Sequence, residues 1–64
     1  MAYCFTFVDE NGRVTWMGDV DCATDVSAVV RAALTLRTRA NGASVEITNQ
    51  WRLITRLTRE EVAG

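Results

Sequence analysis

The stretch that decides the fold is Tyr3-Cys4-Phe5-Thr6-Phe7-Val8, in which large apolar residues alternate with smaller or polar ones. Alternation with a period of two residues is typical of a β-strand that buries one face. Because its three aromatic residues share a face, we expect them to point into the core. The dipeptide Asn11-Gly12 then signals a hairpin turn, since both residues tolerate a positive φ. The sequence predicts a first hairpin with strands at about 2–8 and 13–17.

A second alternating stretch, Ser44-Val45-Glu46-Ile47-Thr48, lies toward the other end of the chain. A turn at Asn49-Gln50 separates it from a further apolar-rich run, so we predict a second hairpin with strands at about 43–48 and 51–57. We expect the third strand to bury Val45 and Ile47. In the fourth strand, strict alternation places Leu53 and Leu57 in the core. The residues on the opposite face of that strand point away from the core: Arg52, Ile54 and Arg56.

The segment between the hairpins has the pattern of one helix, predicted at about 24–40. Gly18 is expected to end the first hairpin, and Asp21 or Thr24 to cap the helix after an acidic linker. Asn41-Gly42 is a C-terminal stop signal. Residues at helical spacing predict the stripe that packs on the sheet: Val26, Val29, Val30, Ala33, Leu36 and Ala40. Thr58 and Glu61 have the spacing of a capping box, after which we expect at most an unstable helical turn.

These elements predict one α+β domain over residues 1–64 with the order ββαββ. Short connections favour a four-stranded antiparallel sheet in the order 2-1-3-4, with the helix packed on one face. A chain of 64 residues buries only about 60% of its unfolded surface, so its core is small. Since one helix cannot cover both faces, we predict an interaction face on the other side of the sheet, made of Cys4, Val8, Met17, Arg52, Ile54 and Arg56.

Composition and charge narrow the class of protein. The chain is 48% hydrophobic and 23% charged, which is ordinary for a globular domain. No apolar run reaches the roughly 18 residues of a membrane span, and no signal peptide is recognisable, so we expect a cytoplasmic protein. In the cytoplasm Cys4 and Cys22 are expected to be reduced thiols. A disulfide bridge between them would need an oxidising compartment.

The sequence offers little for catalysis or metal binding. It contains no histidine, the commonest general base and metal ligand. The acidic residues Asp19, Asp21 and Asp25 lack the turn glycine and the final glutamate of a calcium loop. The four glycines are isolated, so no phosphate-binding loop is formed. We therefore predict a protein that is not an enzyme and has neither a metal nor a cofactor.

The chain resembles a family of short, single-domain bacterial proteins of unknown function. The residues that carry the resemblance run through most of the chain: Tyr3, Phe5, Gly18, Asp25, Val26, Ala28, Ala32, Ile47, Asn49, Leu53 and Leu57. Two features differ, since the loop before the helix is longer here and the second turn lacks the family's glycine. The resemblance implies a hairpin–helix–hairpin fold and no particular activity.

Two hypotheses on function follow from these patterns. The first is a small interaction module that forms a homodimer or binds a protein partner through the uncovered sheet face or an edge strand. A phage-borne inhibitor of a host or defence protein is one form of it. The alternative is an anion or nucleic-acid binder that uses the arginines of the second half of the chain: Arg37, Arg39, Arg52, Arg56 and Arg59. The stripe of aromatic residues in the first strand resembles an RNA-stacking surface, but its predicted place in the core argues against that role.

Overall fold

A computed structural model describes residues 1–63 of the chain. It contains four strands and two helices, in the order β1 Ala2–Val8, β2 Val14–Asp21, α1 Asp25–Thr38, β3 Ser44–Asn49, β4 Arg52–Thr58 and α2 Arg59–Ala63. The strands form one antiparallel sheet in the order β2-β1-β3-β4. The predicted fold class, with its strand order, is confirmed.

The core lies between the sheet and α1. Tyr3, Phe5 and Phe7 are at most 1% exposed, as the alternation in β1 predicts. Val45 and Ile47 of β3 stand opposite Phe7 and Phe5 and are fully buried with them. The two central strands therefore supply the largest side chains of the core.

The helix presents to the sheet a stripe that only partly matches the one predicted, since Leu36 is buried and Val29 packs against the core as expected. Its buried residues are Ala28, Ala32 and Leu36, whereas Val26 and Val30 are 73% and 53% exposed. The reason is steric, since small alanines let α1 approach a sheet surface already filled by aromatic rings. Close packing, rather than the sum of hydrophobicity, sets the rotation of the helix.

Strand β2 continues to Asp21, four residues beyond its predicted end. Gly18 therefore lies inside the strand, where it pairs with Phe5. An added Cβ at Gly18 would lie 2.8 Å from the ring of Trp16. The glycine is needed because the indole ring lies against the strand at this point, and not because the chain turns there.

Both helices begin with side-chain caps. Thr24 and Ser27 form a capping box, with the Thr24 hydroxyl oxygen accepting from the Ser27 N–H at 3.1 Å. At α2 the Glu61 carboxylate accepts from the Thr58 N–H at 3.0 Å. Val62 also packs against the core, so the last turn is held more firmly than its length predicts.

Candidate interaction surfaces

The sheet side turned away from the helices is called here the open face. Because α1 and α2 lie on the other side, neither helix covers the open face. Some of its apolar side chains are therefore exposed. Four residues of the predicted interaction face are found there: Cys4, Val8, Met17 and Arg56. Met17 is 66% exposed, and Leu53, which sequence alternation assigned to the core, is 56% exposed beside Thr48 on the same face.

The predictions for Arg52 and Ile54 were wrong about the face on which they lie. The pairing of β3 with β4 shifts between Ile47 and Thr48, so β4 carries an extra residue at this point. Such a bulge reverses the alternation on one side of it. Arg52 consequently lies on the helix side, and Ile54 packs against the core.

The charges of the open face are separated between its edges. Asp19 and Asp21 belong to β2, and Asp21 pairs with the Met1 ammonium group at 3.0 Å. Arg56 belongs to β4, where it stands opposite Glu46 of β3. One edge of the face is thus acidic and the other carries a guanidinium group.

The five arginines proposed as an anion site do not all assemble on one surface, although Arg56 and Arg59 line a common depression that also contains Asp9, Glu10 and Glu60. The Arg59 guanidinium donates to the carbonyl oxygens of Arg39 and Gly42, the latter at 2.7 Å, and to that of Arg37 at 3.5 Å. These carbonyls lie at the end of α1 and just after it, where helical partners are missing. Arg59 therefore closes the helix end, whereas Arg56 lies on the open face.

The other two arginines with internal partners have separate roles. The Arg39 guanidinium lies 4.8 Å from the centre of the Phe7 ring, in cation–π geometry. Arg52 forms an ion pair with Asp25 at 3.4 Å, but both side chains are well exposed, so the pair adds little stability. The side chain of Arg37 is exposed.

A polar link joins β1 to the first turn of α1. The Tyr3 hydroxyl donates to Asp25 Oδ1 at 2.6 Å. This hydrogen bond, together with burial and the nearby negative charge, raises the pKa of Tyr3 to about 12. The link secures the start of α1.

A second surface, missed by the sequence analysis, is the groove between β2 and α1, called here the β2 groove. It has a volume of about 510 Å³. Its lining combines an aromatic and apolar floor, polar groups from the helix side and two acidic residues of β2: Phe5, Phe7, Trp16, Val20, Arg31, Thr35, Arg39, Asp19 and Asp21. The predicted early end of β2 concealed this groove, because only the longer strand extends beside the helix.

The structure also bears on disulfide bonds, metal sites and membrane-spanning helices. The thiols of Cys4 and Cys22 are not bridged. In the part of the chain that the structure covers, no three His, Cys, Asp or Glu side chains are grouped as metal ligands. Neither helix within residues 1–63 is long and apolar enough to cross a bilayer.

Comparison of the chain with protein-family models, with curated proteins and with solved structures found no match. The family resemblance of the sequence therefore stays a prediction.

Proposed function

We propose that the protein is a non-catalytic interaction module that forms a homodimer through its open face. The observation that carries this proposal is the exposure of Met17 and Leu53 on a sheet face that neither helix covers. The molecule is a slab of 28 × 23 × 15 Å, so a sheet face is one of its two broad sides. A face of this kind is a common site of protein association.

Charge complementarity favours a second copy as the occupant. A two-fold axis running along the strands, between two facing sheets, lays β2 of one copy over β4 of the other. By the register of the sheet, Asp19 then stands level with Leu53 of the second copy and Met17 level with Arg56. Asp19 and Arg56 are therefore diagonal neighbours two residues apart, within reach of the long arginine side chain, and this contact occurs twice. Met17 and Leu53 fall within the same two contacts and supply apolar area.

Sedimentation velocity tests the proposal. The wild-type protein is expected to sediment as a dimer and Leu53→Glu as a monomer, because the substitution places a charge in the interface. Val26→Glu is the matched control, since Val26 is 73% exposed on α1, away from the open face. A wild-type monomer at every concentration, or a monomer only in Val26→Glu, would contradict the proposal.

A charge exchange tests the orientation of the two copies. Asp19→Arg and Arg56→Asp each place like charges together and should weaken the dimer. The double variant restores opposite charges in both contacts and should recover dimerisation. If the double variant dimerises no better than either single one, the copies are not related in this way.

A further inference from the structure

The outer edge of β2 presents backbone groups to any added strand. The Cys22 N–H donates to the Met1 carbonyl oxygen at 2.9 Å, which makes these residues a hydrogen-bonded pair in the antiparallel ladder. Hydrogen-bonded and non-bonded pairs alternate along such a ladder. The backbone N–H and C=O groups of Met17, Asp19 and Asp21 therefore point away from β1.

The β2 groove lies directly beside this edge. Trp16 and Val20 project from β2 on the groove side, and the ring of Trp16 packs edge to face on Phe7 at 6.0 Å. Arg31 and Arg39 line the groove together with these apolar groups. A strand added to β2 would direct every second side chain into this groove, whose floor is apolar and whose helix side carries Arg31 and Arg39. Asp19 and Asp21 also border the groove, but their register places them on the opposite face of β2 from Trp16 and Val20.

We propose that β2 binds an extended peptide segment of a partner protein as an additional antiparallel strand. Acidic side chains at alternate positions of that segment enter the β2 groove and meet Arg31 and Arg39. Main-chain hydrogen bonds supply affinity in this mode of recognition, and alternate side chains supply specificity. The β2 groove lies on the helix side of the sheet, whereas the proposed homodimer uses the open face, and Asp19 borders both.

The opposite side of the added strand has a different character. Its remaining side chains lie beside Met17 and Asp19 on the open-face side. An acidic residue there would meet the Asp19 carboxylate, whereas threonine meets no like charge and favours an extended backbone. The segment that fits is thus acidic on one face and neutral or basic on the other.

Fluorescence anisotropy with labelled synthetic peptides tests this inference. The probe alternates Thr and Glu over eight residues, the length of β2. A matched peptide carries Lys in place of Glu, and a third is the Thr-Glu peptide with N-methyl groups at its threonines. We expect the Lys peptide and the N-methylated peptide each to bind at least tenfold more weakly. N-methylation removes the donors that face Met17 and Asp19, so equal binding of that peptide would exclude strand addition.

Protein variants locate the site. Arg31→Glu should weaken binding of the Thr-Glu peptide at least tenfold, whereas Arg37→Glu makes the same charge change at an exposed position of α1 outside the groove and should leave binding unchanged. Tighter binding of single-stranded oligothymidine than of the peptide would overturn the inference in favour of nucleic acid. Leu53→Glu should bind the peptide as the wild type does, so this result is independent of whether the homodimer forms.

Discussion

Tyr3 is the chain's one tyrosine, which makes its ionisation directly observable. Its pKa of about 12 in the folded protein is above the ordinary value of 10. The neutral form is therefore favoured by folding, and this contribution to stability is complete below pH 10 and lost as the pH rises toward 12. Ultraviolet titration should show tyrosinate forming near pH 12, with loss of structure over the same range.

Asp25→Asn provides the control for that titration. The substitution keeps the shape of the side chain and removes the charge that opposes tyrosinate formation. The pKa of Tyr3 should then fall toward 10, without returning to it, because burial still raises it. An unchanged pKa in this variant would show that the negative charge of Asp25 is not its main cause.

The turn between β3 and β4 is a second feature that depends on single residues. Gln50 and Trp51 have φ values of 49° and 71°, and two left-handed central residues define the turn type that favours Asn-Gly. A left-handed conformation costs a residue with a Cβ about 1–2 kcal/mol. Trp51→Gly should therefore stabilise the protein by about 1 kcal/mol, measured as a higher urea midpoint.

Trp51→Ala is the matched control for this substitution. The Trp51 side chain is fully exposed, so its removal loses no packing. Alanine retains the Cβ that makes a positive φ unfavourable, and the urea midpoint should change little. If alanine and glycine stabilised the protein equally, the backbone conformation would not be the source of the effect.

At the scale of the elements, the sequence predicted which segments are strands or helices, and their order, better than it predicted the face on which each side chain lies. Alternation in β1 correctly identified the buried aromatic residues, because that strand is regular along the part that carries them. It failed in β4, since a bulge needs one extra residue and no residue type marks it. The predicted Asn49-Gln50 turn also lay one residue too early, since the central residues of the turn are Gln50 and Trp51.

The end of α1 depends on a side chain from α2, which yields a prediction at this scale. Arg59→Ala leaves the carbonyl oxygens of Arg39 and Gly42 without the guanidinium donor. The loss of a charged donor to partly buried acceptors should lower the free energy of unfolding by about 1–3 kcal/mol. Arg13→Ala removes the same charge from an exposed position of the first hairpin and is the control. Equal unfolding free energies for the two variants would contradict the capping role of Arg59.

At the scale of the whole molecule, both proposed surfaces result from the placement of one helix on a sheet wider than itself. Alanines bring α1 close to the central strands and leave β2 beside a groove. The uncovered face could be predicted from the sequence, because one helix cannot cover both faces of a four-stranded sheet. The groove could not be predicted in this way, because it depends on where the helix lies across the sheet and on the full length of β2.

The size of the core connects association with stability. A domain of 64 residues has a small hydrophobic core, so partners that bind only the folded state add appreciably to its stability. If two copies associate through the open face, the melting temperature should rise by roughly 3–5 °C for each tenfold increase in protein concentration. Leu53→Glu should melt at one temperature at all concentrations, and Val26→Glu should behave as the wild type does. Differential scanning calorimetry over a hundredfold range measures this dependence, and a wild-type melting temperature independent of concentration would show that folding is complete without the second copy.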